Sequence, residues 1–331
     1  MNQLAKVAGV SVSTVSRALR SQPSIPEATR RRIQQLADKL GYRPDPMLEA
    51  LGAYRRGLAK KEYRPTLAVV ATSVDWREDL ACRLYHEGAQ RRAEALGYQL
   101  EVFVVSAGKL SSERLAGILE TRGIRGVLIL PILDVSVNLD LLPGKFLVVA
   151  AGYKFTSPFI NRVSINHFAA VGVALQKLAA MGYRRPGLAL RAEPAKRAPS
   201  GVTHVGQLWK GGYLAECAKQ FPDLRIPVIQ PADGRQLDRW RKRHTPDVII
   251  SQDRQIGRLM GSGSARPDVP IVYTMVDDDA TLTGIHQNSW QVGRRAVDLL
   301  VTDLYRAESD AVIAPVTLLV GTAWQEGSWW R

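Results

Sequence analysis

From Pro65 to the C-terminus, short β-branched runs alternate with amphipathic helical stretches, and this alternation restricts the chain more than any other feature. The runs Leu67–Thr72, Tyr98–Val105, Gly126–Ile132, Phe146–Ala151, Gly187–Leu190, Asp247–Ser251 and Ile271–Met275 are predicted strands. Predicted helices lie between most of them, over Leu84–Leu96, Ser112–Thr121, Phe168–Met181, Gln207–Lys219 and Leu237–Arg243. A strand that feeds a helix and then another strand returns in parallel, so the pattern predicts doubly wound parallel sheets of the α/β class.

The first 40 residues carry almost no strand signal. Leu4, Val7 and Ala8 recur at helical spacing, and Gly9-Val10-Ser11 interrupts them. A second run follows with Val15 and Leu19 on one side, and a third with Ile33, Leu36, Ala37 and Leu40. Ser11 is a natural N-cap for the second helix. The third is capped by Ser24 in an S-x-x-E box with Glu27, or starts at Pro26, and Gly41 ends it. Residues 42–64 read as a linker with one short helix, opened by Asp45-Pro46 and stopped at Gly52. Charge is concentrated here. Residues 1–64 hold 13 Lys and Arg against 5 Asp and Glu, leaving +8 of the chain's +14 in its first fifth. That asymmetry suits a polyanion partner, although a merely solvated basic surface gives the same count.

With Val15 and Leu19 packed inward, Val12, Ser13, Ser16, Arg17 and Arg20 share the opposite helix face. Such a face suits a major groove. Arg17 can reach a guanine O6/N7 edge, Val12 a thymine methyl, and Ser13 several bases. An exposed helix without a partner fits the same pattern. The residues that narrow the choice are Ala8-Gly9-Val10-Ser11, Thr14-Val15-Ser16-Arg17, Thr29-Arg30 and Gly41-Tyr42-Arg43-Pro44. Over some 40 residues they resemble the helix-turn-helix headpiece of the LacI/GalR family of bacterial repressors. The resemblance implies base reading by Val12–Arg20 after the Ser11 cap, and phosphate contacts at Thr14, Thr29 and Tyr42. Pro46–Leu51 is similar to the family's hinge helix. Leu51 would be the minor-groove wedge, with Leu48 standing where a small residue is usual.

Residues 65–331 resemble the two-lobed type I periplasmic-binding-protein fold attached to these headpieces. The marks are His86-Glu87-Gly88-Ala89, Gly123–Leu128, Met181–Pro186, Pro246–Ile249 and Val292-Gly293. The whole chain is therefore expected to be an all-α headpiece (1–43), a hinge and linker (44–64) and an α/β effector-binding and dimerisation domain (65–331). Lobe 1 would take about 65–160 plus 288–312, and lobe 2 about 161–287 plus 313–331. The resemblance places an effector in the cleft at the carboxyl ends of the strands. There Trp209 replaces the family's usual arginine. Gln252, Asp253, Asp277 and Asp278 occupy customary ligand positions, and the segment up to Thr283 is shorter than usual. These departures imply a more open cleft, suited to a larger or extended saccharide. Lobe packing for Trp209 and a solvated turn for Asp277–Asp279 remain open alternatives.

Other classes fit less well. The five histidines show no metal spacing, and neither a nucleophile elbow nor a phosphate-binding glycine loop is present. Cys82 and Cys217 form no C-x-x-C pair and read as buried small hydrophobes, and no apolar run approaches the ~20 residues of a membrane span. The expectation is a cytoplasmic homodimer that binds double-stranded DNA and a small-molecule effector, with no catalytic activity, cofactor or metal. Control by a partner protein is the alternative, ahead of a solute-binding protein or an enzyme.

Overall fold

Helical spacing in the first forty residues resolves into one small apolar cluster. The structure, a computed structural model, describes residues 5, 7–11, 14, 15, 18, 25–39, 64–106, 109–134, 136–139, 142–155, 160–191, 205–256, 269–306 and 314–328. It divides into two units, Met1–Pro65 and Thr66–Arg331. In the first, Ala5, Val7 and Ala8 are helical, the chain turns at Gly9, and Thr14, Val15 and Ala18 are helical again. Gly9 has φ 63° and Val10 N–H donates back to Ala5 O at 3.2 Å, the helix-ending geometry in which glycine avoids a Cβ penalty. Helix α1 spans Glu27–Lys39. Ala5, Ala8, Val15, Ala18, Ile25, Ile33 and Ala37 form the cluster. Val7 is 54% exposed, so Ala5 and Ala8 form the inward stripe of the first helix.

The second unit holds two sheets. The first has six parallel strands in the order β10-β5-β4-β3-β1-β2. They are β1 Thr66–Ala71, β2 Gln99–Val104, β3 Gly126–Ile129, β4 Leu147–Ala151, β5 Asn161–Ile165 and β10 Thr317–Val320. The second sheet has the order β11-β9-β8-β7-β6, with β6 Pro186–Ala189, β7 Val248–Ser251, β8 Ile271–Tyr273, β9 Gly284–His286 and β11 Ala323–Gln325. Its pairs are parallel except β9 with β11, which is antiparallel at the sheet edge. Helices α2 Leu80–Ala95, α3 Ser112–Thr121, the short α4 Leu142–Lys145 and α8 Ser289–Arg306 belong to the first lobe. Helices α5 His167–Ala180, α6 Val205–Gln220 and α7 Gly234–His244 belong to the second.

The chain passes between the lobes at β5–α5, at β9–α8 and at β10–β11. The lobe borders therefore differ from those expected along the sequence, because residues 161–165 and 317–320 join the first sheet. Parallel pairing decides this. Arg162 N–H donates to Val316 O at 2.9 Å and Asn166 N–H to Val320 O at 3.1 Å, while the Asn161 side chain accepts from Val316 N at 2.7 Å.

Helices α2 and α8 cross nearly backbone to backbone. A Cβ added to Gly88 would lie 1.8 Å from Trp290 O, and one added to Gly293 would lie 1.7 Å from Tyr85 O. Arg92 Nε donates to Asp298 Oδ1 at 2.5 Å on the same pair of helices. Gly293→Ala must push the helices apart, and overpacking of this kind costs about 1–3 kcal/mol or more. Urea unfolding should show a loss of about 3 kcal/mol; a midpoint equal to wild type would contradict the crossing.

Candidate DNA interface and effector cleft

The headpiece site begins at a helix start. Ser11 Oγ accepts from Thr14 N at 3.2 Å and lies 2.9 Å from Thr14 Oγ1, while Val15 N–H donates to Ser11 O at 3.0 Å. Ser11 thus caps the second helix, and the capped turn is exposed. Thr29 is half-buried in the first turn of α1. Arg32 reaches across to Ala8 O at 2.6 Å and braces α1 against the end of the first helix. The other candidate DNA-binding residues, Val12, Ser13, Ser16, Arg17, Arg20, Tyr42, Leu48 and Leu51, lie outside the described residues.

The resemblance places the candidate effector cleft at the carboxyl ends of the strands, which the segments after them flank in both lobes. In the first lobe, the Thr72 hydroxyl accepts from Leu133 N and Asp134 N at 2.9 and 3.2 Å, tying β1 to the segment after β3. Arg162 is buried, donates to Gly152 O at 3.0 Å and to Phe155 O, and lies 5.7 Å from the Tyr153 ring. It shapes the turn after β4. In the second lobe, Ser251 Oγ accepts from Asp253 N at 3.0 Å, and Asp253 Oδ1 accepts from Gln255 N at 2.9 Å. Gln252 and Asp253 are half-buried at that strand end.

The three consecutive aspartates have separate partners. Asp277, its side chain 3% exposed, accepts from Gln287 N at 2.8 Å through Oδ2 and from Ser289 N at 2.6 Å through Oδ1. It caps α8 where the chain re-enters the first lobe. Asp278 pairs with Arg254 at 2.6 Å and, across the lobes, with Arg83 of α2 at 3.7 Å. Asp279 closes a turn by accepting from Thr281 N and Oγ1, which holds its carboxyl below the usual carboxylate range. Gln325 then ties this short connection to β11 through Asp279 O and Leu282 O.

Residues 1–45 match the family described as bacterial regulatory proteins, lacI family. The headpiece region thus carries the sequence pattern of that family. The HTH-type transcriptional regulator MalR of Streptomyces coelicolor is 26% identical over 326 residues, covering 91% of this chain and 89% of that protein. The regulator reg1 of Streptomyces lividans is 27% identical with the same coverage. Among solved structures, the transcriptional regulator CelR–cellobiose complex aligns with TM-score 0.57 and 19% identity over 98% of this chain and 97% of that one. The lac repressor dimer bound to operator and the anti-inducer ONPF aligns with TM-score 0.59 and 17% identity over 98% and 96%. Among the described residues, no helix is long and apolar enough to cross a membrane.

The candidate effector residues divide. Gln252, Asp253 and Asp278 stand at the cleft side with accessible surface. Asp277 has both carboxylate oxygens committed to backbone N–H groups. Trp209 is 1% exposed in the second-lobe core, its ring centroid 5.3 Å from that of His167. In place of an open tryptophan face the structure presents a residue the sequence pattern did not single out. His167 is the first residue of α5, and its ring centroid also lies 6.1 Å from that of Tyr153. No signal in the sequence marked it, because the crossing strand before it was itself not predicted.

Two measurements follow. Asp277→Ala strips a buried charged acceptor from two backbone donors, and each such bond is worth roughly 1.5–3 kcal/mol. Ligand-free protein should lose about 3 kcal/mol in urea unfolding; wild-type stability would instead return Asp277 to effector duty. Burial lowers the His167 pKa from 6.5 to about 4. Between those values the unfolded chain binds a proton that the folded chain refuses, so stability falls as pH drops from 6.5 towards 4. The shift corresponds to about 3 kcal/mol. His167→Phe should remove that part of the acid sensitivity, and parallel stability–pH curves for variant and wild type would refute the assignment.

Proposed function

We propose that this chain is a repressor that binds a pseudo-palindromic operator as a homodimer in the cytoplasm, and that a saccharide in its cleft controls DNA binding. The observation that carries the DNA half is the lacI-family match over residues 1–45, together with the Ser11-capped helix start. Val12, Ser13, Ser16, Arg17 and Arg20 form the base-reading face behind the Ser11 cap at the DNA surface, and Thr14, Thr29 and Tyr42 contact phosphates. Leu51, flanked by Leu48, enters the minor groove between half-sites and bends the duplex. One headpiece covers one half-site, so two are needed for useful specificity.

The saccharide half is supported by the strand-end cleft, by Gln252, Asp253 and Asp278 on its second-lobe side, and by the resemblance to a regulator solved with cellobiose. The short Asp277–Thr283 connection, trimmed relative to the family pattern, favours an extended saccharide over a single enclosed sugar ring. Trp209 supports the site from behind, and Asp277 holds the crossing.

The test is selection of bound sequences from random DNA, repeated with sugars present. Wild type should enrich a two-fold symmetric site. Arg17→Ala should lose about 1–3 kcal/mol and relax preference at one base pair per half-site. If affinity fell uniformly while the preference profile stayed the same, Arg17 would be a phosphate contact. Loss of symmetry in the selected site would remove the dimer.

A further inference from the structure

We infer that His167 is the group through which the cleft hydrogen-bonds a hydroxyl of a neutral saccharide, with Tyr153 and Trp209 fixing its ring from opposite lobes. This rests on the effector reading above and adds a residue that reading did not contain.

Three observations converge on it. First, His167 lies two residues past β5, where the chain leaves the first lobe for the second at the carboxyl end of a strand, the end at which the effector reading places the ligand. Asn166 already caps α5, its Oδ1 accepting from Ala169 N at 3.1 Å, so the helix start makes no demand on the imidazole. Second, the ring lies 6.1 Å from Tyr153 of the first lobe and 5.3 Å from Trp209 of the second, tilted 52° and 53° to them. Third, the side chain is 6% exposed, and its Nδ1 is buried without a hydrogen-bond partner. Buried polar atoms are nearly always paired, and an exception beside a binding cleft calls for a functional reason.

Other buried atoms share that condition, but their settings differ. Ser164 and Ser289 carry rotatable hydroxyls inside the packed crossings, and Asp247 already accepts from Arg184 N and Arg185 N through its other oxygen. His167 alone among these has ring contacts with aromatic residues of both lobes.

The surroundings define the chemistry. Burial keeps the imidazole neutral at physiological pH, so it offers one N–H donor and one acceptor. The nearby cation, Arg162, is already engaged with Gly152 O and Phe155 O. A site with apolar ring flanks, one neutral donor–acceptor pair and an engaged arginine matches a sugar hydroxyl beside its C–H face. It does not match a carboxylate or phosphate.

The test uses the full chain with cellobiose, maltose, maltotriose and lactose as probes, read by calorimetry. Wild type should bind at least one of them. His167→Phe keeps a flat ring but removes both nitrogens, and should weaken that sugar roughly tenfold or more. His167→Gln restores a donor and an acceptor and should recover part of the loss. As a readout that does not depend on a variant folding, nitrogen NMR of histidine-labelled wild type should show the His167 ring resonances moving when the sugar saturates. Sugar binding that leaves those resonances in place, or His167→Phe binding within about twofold of wild type with unchanged melting, overturns the assignment alone. Failure of the wild type to bind any of the four sugars overturns the saccharide reading, and this inference with it.

Discussion

A buried carboxylate at a chain crossing governs more of this molecule than any ligand contact. Asp277 stands just past β8, yet its oxygens hold Gln287 N and Ser289 N, the residues that lead out of the second lobe into α8. A charge with 3% exposed side chain is tolerable only when its lone pairs are occupied, and two short charge-assisted bonds occupy them. Those bonds fix where α8 begins. Its start determines whether Gly293 arrives opposite Tyr85 O and whether Trp290 O meets Gly88, contacts that leave no room for a side chain. The register of α8 on α2 therefore follows from a residue in the other lobe.

The sequence was most legible where one physical demand falls on adjacent residues. The seven predicted strands correspond to β1–β4 and β6–β8 within a few residues, because each is a short apolar run bounded by turn residues. The missed strands β5, β9, β10 and β11 are three to five residues long and lie at crossings or sheet edges. Asn161–Ile165 is buried over its last four positions but carries Asn, Arg and Ser, and Thr317–Val320 is exposed over its first three, so neither reads as an apolar run. Nothing local tells such a segment which sheet it will join. That depends on partners more than 150 residues away, as when Asn161 Oδ1 receives Val316 N.

The two sites differ in legibility for the same reason. A helix-turn-helix packs its determinants into a few turns: a left-handed glycine, a serine cap, and an inward valine at positions 9, 11 and 15. The cleft is assembled from segments after β1, β3, β4, β5, β7 and β8, and equivalent positions do not guarantee equivalent roles. Trp209 shows this. It stands where a ligand-binding arginine was expected, but a large apolar side chain at that place is drawn into the core beside Leu175 and Tyr213. The polar function of the position is then open to a neighbour, and the buried imidazole of His167 is the group lying against it.

How the lobes respond to an occupant depends on which contacts between them are strong. The Arg83–Asp278 pair spans the cleft at 3.7 Å with both side chains partly exposed, and pairs of this kind contribute about 0–1 kcal/mol. Asp278 also has a nearer partner, Arg254 at 2.6 Å in its own lobe, so losing Arg83 would not strand its charge. By contrast, the crossings are held by buried backbone and carboxylate bonds that must persist in any arrangement of the lobes. The connections are firm, while this cross-cleft ion pair is weak and replaceable. An effector shifts an equilibrium between two arrangements of such lobes only by the difference in its affinity for them. A contact that bridges both lobes, as the Tyr153–His167–Trp209 row does, changes when they move and so supplies such a difference. A contact made wholly within one lobe does not.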